Sequence, residues 1–149
     1  MAERETRSYD PSKVSVIIGG EIILGFVASK FITVSFAEAA LTYTAGLSSG
    51  AISRNPNRQG SFMIELLQTS PSNDHLQQYI SRARNDEDGW YFSVLILNNR
   101  GGEIASADSA WITKEPDLEF SKVAGSKKWS IQTGNLFLDL SANYLLTGG

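Results

Sequence analysis

The sequence predicts a mainly β fold, an antiparallel β-sandwich or small barrel with one flanking α-helix. Apolar and polar residues alternate with a period of two over several segments, and glycine pairs or short polar stretches separate these segments. Only one segment, about residues 71–84, spaces its apolar residues as a helix does. Six to eight strands with one short helix indicate layers packed around a common core.

The first three strands are predicted from alternation and turns. Residues 14–18 carry valine or isoleucine at every second position. The Gly19-Gly20 pair tolerates the positive φ angles of a tight turn, so residues 22–24 form the returning strand of a hairpin. Residues 32–36 place Ile, Val and Phe on one face, which is typical of a half-buried antiparallel strand.

The alternation stops between Ala37 and Gly60, in a weakly charged stretch rich in small residues. A structureless connection of about this length is uncommon inside a compact domain and is usually functional or ordered by a partner. Two interpretations stay open: an arm that docks on a neighbouring subunit, or a flexible hairpin tip with incidental apolar residues. Its apolar residues are Leu41, Tyr43, Leu47 and Ile52.

A helix is predicted over about residues 71–84, after a strand at residues 62–66. Within residues 70–74, a serine can cap the free amides, and a proline and an aspartate suit the first turn. The predicted buried stripe has the spacing i, i+3, i+4 and i+7 and consists of Leu76, Tyr79, Ile80 and Ala83.

Three further strands follow the helix. Residues 90–97 are apolar on both faces and predict a central strand covered from two sides, and residues 103–113 form the next strand after a turn at 98–102. In the last strand the inward positions change from odd to even across Gly134-Asn135, which a β-bulge explains. The inward residues of this strand are Trp129, Ile131, Leu136, Leu138 and Leu140.

Composition limits the possible functions. The 149 residues, 42% of them apolar, suit one domain over residues 1–149, and the formal charge of −3 argues against a basic nucleic-acid binder. The chain has no cysteine, which excludes disulfides, thiolate metal sites and cysteine nucleophiles. No apolar run approaches the roughly 18 residues that span a bilayer, so we expect a soluble protein without a classical export signal.

No convincing catalytic, metal or cofactor site is predicted. His75 is the single histidine, and although a Ser-His-Asp arrangement stays open, the G-x-S-x-G pattern is missing and a solvent-facing histidine is the preferred interpretation. Residues 86–88 are acidic but lack the ligand spacing of an EF-hand. Glu115, Asp117 and Glu119 lie among lysines, which favours a mixed-charge edge over a carboxylate catalytic pair.

The aromatic residues are better explained by burial in a core or interface than by a stacking platform. A platform for nucleic acid needs interleaved arginine and lysine, whereas the neighbours here are apolar. The glycine pairs form no phosphate-binding loop leading into a helix. The aromatic residues in question are Trp90, Tyr91, Phe92, Trp111 and Trp129.

Several segments, in this order and spacing, resemble the tail tube proteins of long-tailed bacteriophages, notably those with contractile tails. The resemblance covers nearly the whole chain, and no single motif in it is chemically diagnostic. The segments are Tyr9–Val16, Gly20–Phe26, Gln68–Asp74 and Ala110–Ile112, followed by Lys114, Pro116, Asp117 and Glu119.

The resemblance implies a β-sandwich or barrel with a flanking helix that forms hexameric rings, stacked into the tube through which the genome leaves. It implies an N-terminal arm, residues 1–12, and an inter-ring hairpin or loop, residues 37–60. The expected partners are other copies of the chain, sheath, baseplate and tail-terminator proteins, with tape-measure protein and DNA passing through the lumen. The expected inter-ring contacts are Tyr9, Leu41, Tyr43, Leu47, Ile52, Arg54 and Arg58.

The implied location is the virion tail, after synthesis in the host cytoplasm, and related secretion-system tubes share the architecture. Three alternatives stay open. The chain could be a tube initiator or terminator of the baseplate or tail end. It could be a β-sandwich module that binds carbohydrate or protein through Trp90 and Trp111, or a carboxylate-based hydrolase.

Overall fold

The computed structural model describes residues 14–28, 31–98 and 102–140, which form ten β-strands and one α-helix. The mainly β fold with one flanking helix is therefore confirmed. No helix in these ranges is long and apolar enough to cross a membrane. The elements are β1 Val14–Ile18, β2 Glu21–Ile22, β3 Ile32–Phe36, β4 Leu41–Ala45, β5 Gly50–Arg54, β6 Gly60–Leu67, α1 Ser72–Arg84, β7 Phe92–Asn98, β8 Glu103–Lys114, β9 Ser126–Thr133 and β10 Phe137–Leu138.

Eight strands form one antiparallel sheet in the order β2-β1-β7-β8-β9-β6-β3, with β10 also paired to β8. The sheet curls without closing into a barrel. After Ile22 at one edge, the chain reaches an isolated bridge between Phe26 and Leu66, on the side of β6 that also pairs with β3. Because four residues span at most about 14 Å, the two sheet edges approach each other at this end.

The core lies on one face of the curled sheet. Facing residues from successive strands meet there, as in the pairs Phe62 with Ile131 and Ile131 with Ile112. From α1, Leu76 and Ile80 pack into the same cluster. Burying such side chains contributes about 1.5–3 kcal/mol each, which makes this face the main source of stability.

The start of α1 is tied to the end of the first hairpin. Ser70 Oγ donates to the Leu24 carbonyl at 2.5 Å and accepts from the Ser72 amide at 3.2 Å, so a serine does satisfy one helix-start amide. The N-cap position itself is Pro71, without a side-chain cap. The predicted stripe is confirmed at Leu76 and Ile80 but is wrong at Ala83, which is exposed.

The predicted change of phase in the last strand is confirmed. Burial moves from Trp129 and Ile131 to Leu136, but Leu140 is 73% exposed, so its predicted inward position is wrong. Along β8, burial shifts in the same way between Ala107 and Ala110. Since both strands shift together, residues 131–133 of β9 keep one register against β8 with β10, and no register shift separates them across Gly134-Asn135. Register shifts occur instead between β7 and β8, and between β8 and β9 beyond Ile112.

The predicted central strand at residues 90–97 begins later than expected. Trp90 and Tyr91 precede β7 and are exposed, their ring centroids 5.4 Å apart, so their predicted burial is wrong within this chain. Phe92 and Trp129 are buried as predicted, and Trp111 is partly buried. The strand is fully covered on one face only, because α1 packs on the core side alone.

Candidate functional site: two exposed surfaces

The first exposed surface is the hairpin of β4 and β5, which forms a two-stranded sheet separate from the main one. Every residue of both strands is exposed. The expectation of a structureless stretch between residues 37 and 60 is therefore wrong, and the expectation of an extended hairpin is correct. Local alternation is weak here because Ala, Ser, Thr and Gly fill most positions.

A polar network holds the base of this hairpin. The Asn55 side chain donates to Glu38 Oε2 at 2.7 Å and to the Ala39 carbonyl at 3.2 Å. The backbone pairing continues from the main sheet, with the Asn55 amide donating to Ala40 O at 2.8 Å. Hydrogen bonds from Asn55 and then Asn57 lower the pKa of Glu38, because they stabilise its carboxylate form.

The hairpin has one apolar face. Leu41 lies opposite Arg54, and Tyr43 lies opposite Ile52, so these four side chains share a face. Leu41, Tyr43 and Ile52 are 59%, 69% and 71% exposed, and Leu47 projects from the turn. The structure thus brings together five of the seven predicted contact residues on one face and its tip.

The other two predicted residues are placed differently. Arg58 returns to the main sheet, where its Nη2 donates to the Leu136 carbonyl at 3.2 Å and its guanidinium lies 5.8 Å from the Phe36 ring centroid. It therefore braces the hairpin base and does not join the apolar face. Tyr9 and the predicted arm at residues 1–12 lie outside the described residues.

An isolated two-stranded hairpin is only marginally stable in water unless a hydrophobic face packs against something. Contiguous exposed apolar residues on a soluble protein mark an interaction site more often than isolated ones do. The face formed by Leu41, Tyr43 and Ile52 is contiguous, apolar and exposed, and nothing in the described chain covers it. It is therefore the candidate interaction site of the hairpin. We refer to this face, with Leu47, as the hairpin face.

The second exposed surface is the loop of residues 115–125 between β8 and β9. Leu118, Phe120 and Val123 are 69%, 85% and 77% exposed. The charged residues of this segment predicted a mixed-charge edge, and its apolar residues carried no prediction. The missed signal was the alternation of acidic with large apolar residues in this loop. No predicted strand or helix of the chain was available to cover those apolar side chains.

Both ends of the loop are anchored to the domain. Arg84 at the end of α1 grips Glu115 in a bidentate pair, with Nε to Oε2 at 2.7 Å and Nη2 to Oε1 at 2.5 Å. Gly125 N donates to the Gln68 side chain at 3.0 Å. The Arg84 hydrogen bond lowers the pKa of Glu115 to about 2, and the mixed-charge edge predicted here is confirmed.

His75 occupies a structural position. Its Nδ1 lies 2.6 Å from Glu21 Oε2 and its Nε2 lies 2.8 Å from the Ile18 carbonyl, with the side chain 17% exposed. The solvent-facing interpretation is therefore wrong, because the ring links α1 to the β1–β2 turn. Neither nitrogen contacts a serine, so the described residues do not assemble the triad left open above. They also bring no three metal-ligating side chains together.

Comparison with known proteins gives one family and several related folds. The family described as bacteriophage PhiTE tail tube protein matches residues 18–141. No curated protein matches the chain significantly.

Solved structures share the fold at low identity. The anti-feeding prophage cap, a tube terminating cap, has a TM-score of 0.60 at 11% identity, over 95% of this chain and 95% of that chain. The sheath/tube terminator of the extracellular contractile injection system PVC, in its extended state, has a TM-score of 0.58 at 10% identity, over 90% and 98%. The PVC sheath-tube complex in its extended state has a TM-score of 0.54 at 13% identity, over 87% and 90%. At these identities the likeness concerns the fold alone.

Proposed function

The chain belongs to the bacteriophage PhiTE tail tube protein family, and on this premise we propose that it is the structural subunit of a phage tail tube. In this proposal hexameric rings of the chain stack into the conduit for genome delivery. Family and fold agree on a tail tube or tube terminator role, and the family is a structural one.

The hairpin face is the observation that carries the proposal. In an isolated subunit the three large apolar side chains of the hairpin are exposed to water and do not contribute to stability. In a stack of rings, the hairpin crosses to the next ring and buries these side chains there. Full burial stabilises by about 1.5–3 kcal/mol for each, repeated at every subunit of a ring.

Contacts within a ring would use the edges of the main sheet. The outer side of β3 is unpaired among the described strands, and the sheet ends at β2 on the other side. Open edges invite pairing with another chain. Pairing of β3 in one subunit with the β1–β2 edge of the next would continue the sheet around the ring and remove both edges.

The proposal extends to the other components of the tail. Sheath, baseplate and tail-terminator proteins are the expected partners, since the related folds occur in sheath-tube and terminator assemblies. The formal charge of −3 suits a conduit that does not hold phosphates, so DNA and tape-measure protein pass without specific binding. Synthesis takes place in the host cytoplasm before assembly into the virion.

A hairpin truncation tests the proposal. Replacing Thr42–Ser53 by Asn-Gly leaves the Leu41 and Arg54 pair closed by a two-residue turn and keeps the polar network at the base. Negative-stain electron microscopy of concentrated wild-type protein should show rings and tubes, and the truncated protein should remain folded by circular dichroism without forming tubes. Monomers alone in the wild type, or long tubes in the truncated protein, would contradict the proposal.

A tube terminator is the second candidate. Two of the three related structures described above are terminators, with TM-scores of 0.60 and 0.58. A terminator forms one ring and stops, whereas a tube subunit propagates. Single rings at every protein concentration, with no tubes, would therefore favour the terminator. The carbohydrate-binding alternative is weakened, because Trp111 is partly buried and Trp90 alone of its two anchors is exposed.

A further inference from the structure

We propose that the acceptor of the hairpin face is the 115–125 loop of a second copy of this chain in the adjacent ring. The contact would join the hairpin face of one subunit, including Leu47 at its tip, to Leu118, Phe120 and Val123 of the other. This inference rests on the proposed function and adds to it the partner surface.

The two surfaces lie at opposite ends of the same strand pair. β6 and β9 run antiparallel from the pair Gly60 with Thr133 to the pair Leu67 with Ser126. The hairpin leaves the sheet at the Gly60 end, and the loop leads into β9 at the Ser126 end. Eight paired residues place these ends about 23 Å apart. Translating one copy along the strands therefore brings its hairpin to the loop of the next copy.

Stacking of identical rings requires two different surfaces that fit each other. A contact that repeats along an axis is heterologous, so the donor of one subunit meets a distinct acceptor on the next. The hairpin face supplies the apolar donor. At the other end of the β6–β9 pair, the loop supplies three exposed apolar side chains, held outward by the anchors at Glu115 and Gly125.

The charges of the two surfaces are complementary. The hairpin face carries one charged side chain, Arg54, which lies beside Leu41 and is positive. Because Glu115 is already paired with Arg84, the loop offers two acidic residues and one lysine, a formal charge of −1. Opposite potentials at an interface favour the correct pairing and its register.

The surface beside the loop is suited to form the polar rim of such a contact. A groove of about 600 Å³ runs along the loop, and its walls mix acidic, basic and hydroxyl side chains. Within it, Lys128 Nζ lies 3.8 Å from Glu65 Oε1 and Ser126 Oγ donates to Glu65 at 2.9 Å. Interfaces typically combine an apolar centre with a polar rim of this kind.

Engineered cysteines test the contact directly, because the chain has none of its own. A double variant with Leu47→Cys and Val123→Cys, assembled and treated with a short bismaleimide, should give a reducing-gel ladder of covalent oligomers longer than six subunits. The matched control pairs Leu47→Cys with Gln77→Cys on the exposed side of α1 and should give no such ladder. Electron microscopy before cross-linking records whether tubes are present.

A charge exchange provides an independent readout. Arg54→Glu should raise the concentration needed for half-maximal tube formation by roughly tenfold, and adding Asp117→Arg with Glu119→Arg should restore most of the loss. Tubes that form without a ladder above the control and without charge rescue would overturn the loop as acceptor and leave the proposed function intact. Absence of rings and tubes from the wild type would instead overturn the proposed function, and this inference with it.

Discussion

The ring of Tyr43 on β4 lies over Gly50 on β5. Gly50 is the diagonal neighbour of Tyr43, two residues along β5 from its direct partner Ile52. A β-carbon at residue 50 would overlap the phenol ring. The glycine therefore provides the space in which the ring lies flat along the hairpin, so that Tyr43 and Ile52 present one continuous apolar face.

Tyr43→Ala should weaken tube formation without unfolding the subunit. The ring is 69% exposed and touches no core residue, so its loss should not destabilise the subunit. It should remove about 1.5–3 kcal/mol of binding free energy per contact. The concentration needed for assembly should therefore rise by about tenfold or more. Light scattering during assembly measures the concentration. Thr42→Ala, on the opposite face, is the matched control and should assemble normally. Equal behaviour of the two variants would rule out the hairpin face as the contact.

Gly50→Val should impair assembly in the same direction by a different route. The added side chain would push the Tyr43 ring away from the strand and break up the apolar face. Gly20→Ala is the control for backbone strain, because residue 20 lies in a turn with φ of +83° where a β-carbon would meet nothing within 4 Å. It should lower the stability of the subunit, and the protein that does fold should assemble normally. If Gly50→Val assembled like the wild type, the covering role of Tyr43 would be wrong.

Phe62→Ala should destabilise the subunit strongly. The side chain is fully buried on β6, between Ile131 on β9 and Val34 on the edge strand β3. Removing a buried phenylalanine ring costs about 3–5 kcal/mol in the free energy of unfolding, which is a large part of the stability of a small domain. Urea unfolding followed by circular dichroism measures the change. Thr33→Ala, exposed on edge strand β3, should change it by much less.

The Arg84–Glu115 pair should make loop anchoring sensitive to acid. The pKa of Glu115 is lowered from 4.5 to about 2 in the folded protein, so folding favours the carboxylate. Its contribution is complete above pH 4.5 and is lost as the pH falls from about 4.5 to about 2. The wild type should therefore be more stable than Glu115→Gln at pH 7, and the two should converge near pH 2. A stability difference independent of pH across this window would refute the role of the pair.

His75→Ala should loosen the first hairpin from α1. The substitution leaves the Ile18 carbonyl and Glu21 without their ring partners and should cost about 1–3 kcal/mol in the free energy of unfolding. Amide hydrogen exchange in β1 and β2 should accelerate more than exchange in β6. Gln78→Ala, exposed on the same helix, is the control. Unchanged stability and exchange would show that the ring contributes nothing structural.

Much of the fold was predictable because the direction of a side chain is a local property. Alternation located strands β1, β3, β6, β8 and β9 to within a few residues, and helical spacing located α1. The change of phase across Gly134-Asn135 was also visible in the local pattern. The hairpin of β4 and β5 was harder, because its small residues carry little periodic signal and nothing on the same chain covers it.

Sequence by itself determined strands β1, β3, β6, β8 and β9, the helix, the lack of cysteine and the apolar residues of the hairpin. Tertiary structure alone decided which apolar residues remain uncovered: Trp129 is buried under α1, whereas Trp90 and Phe120 are exposed. It also placed the hairpin and the 115–125 loop at opposite ends of β6 and β9. The physical reason is that burial and position depend on pairing between distant strands, and a local pattern states which way a side chain points but not what it meets.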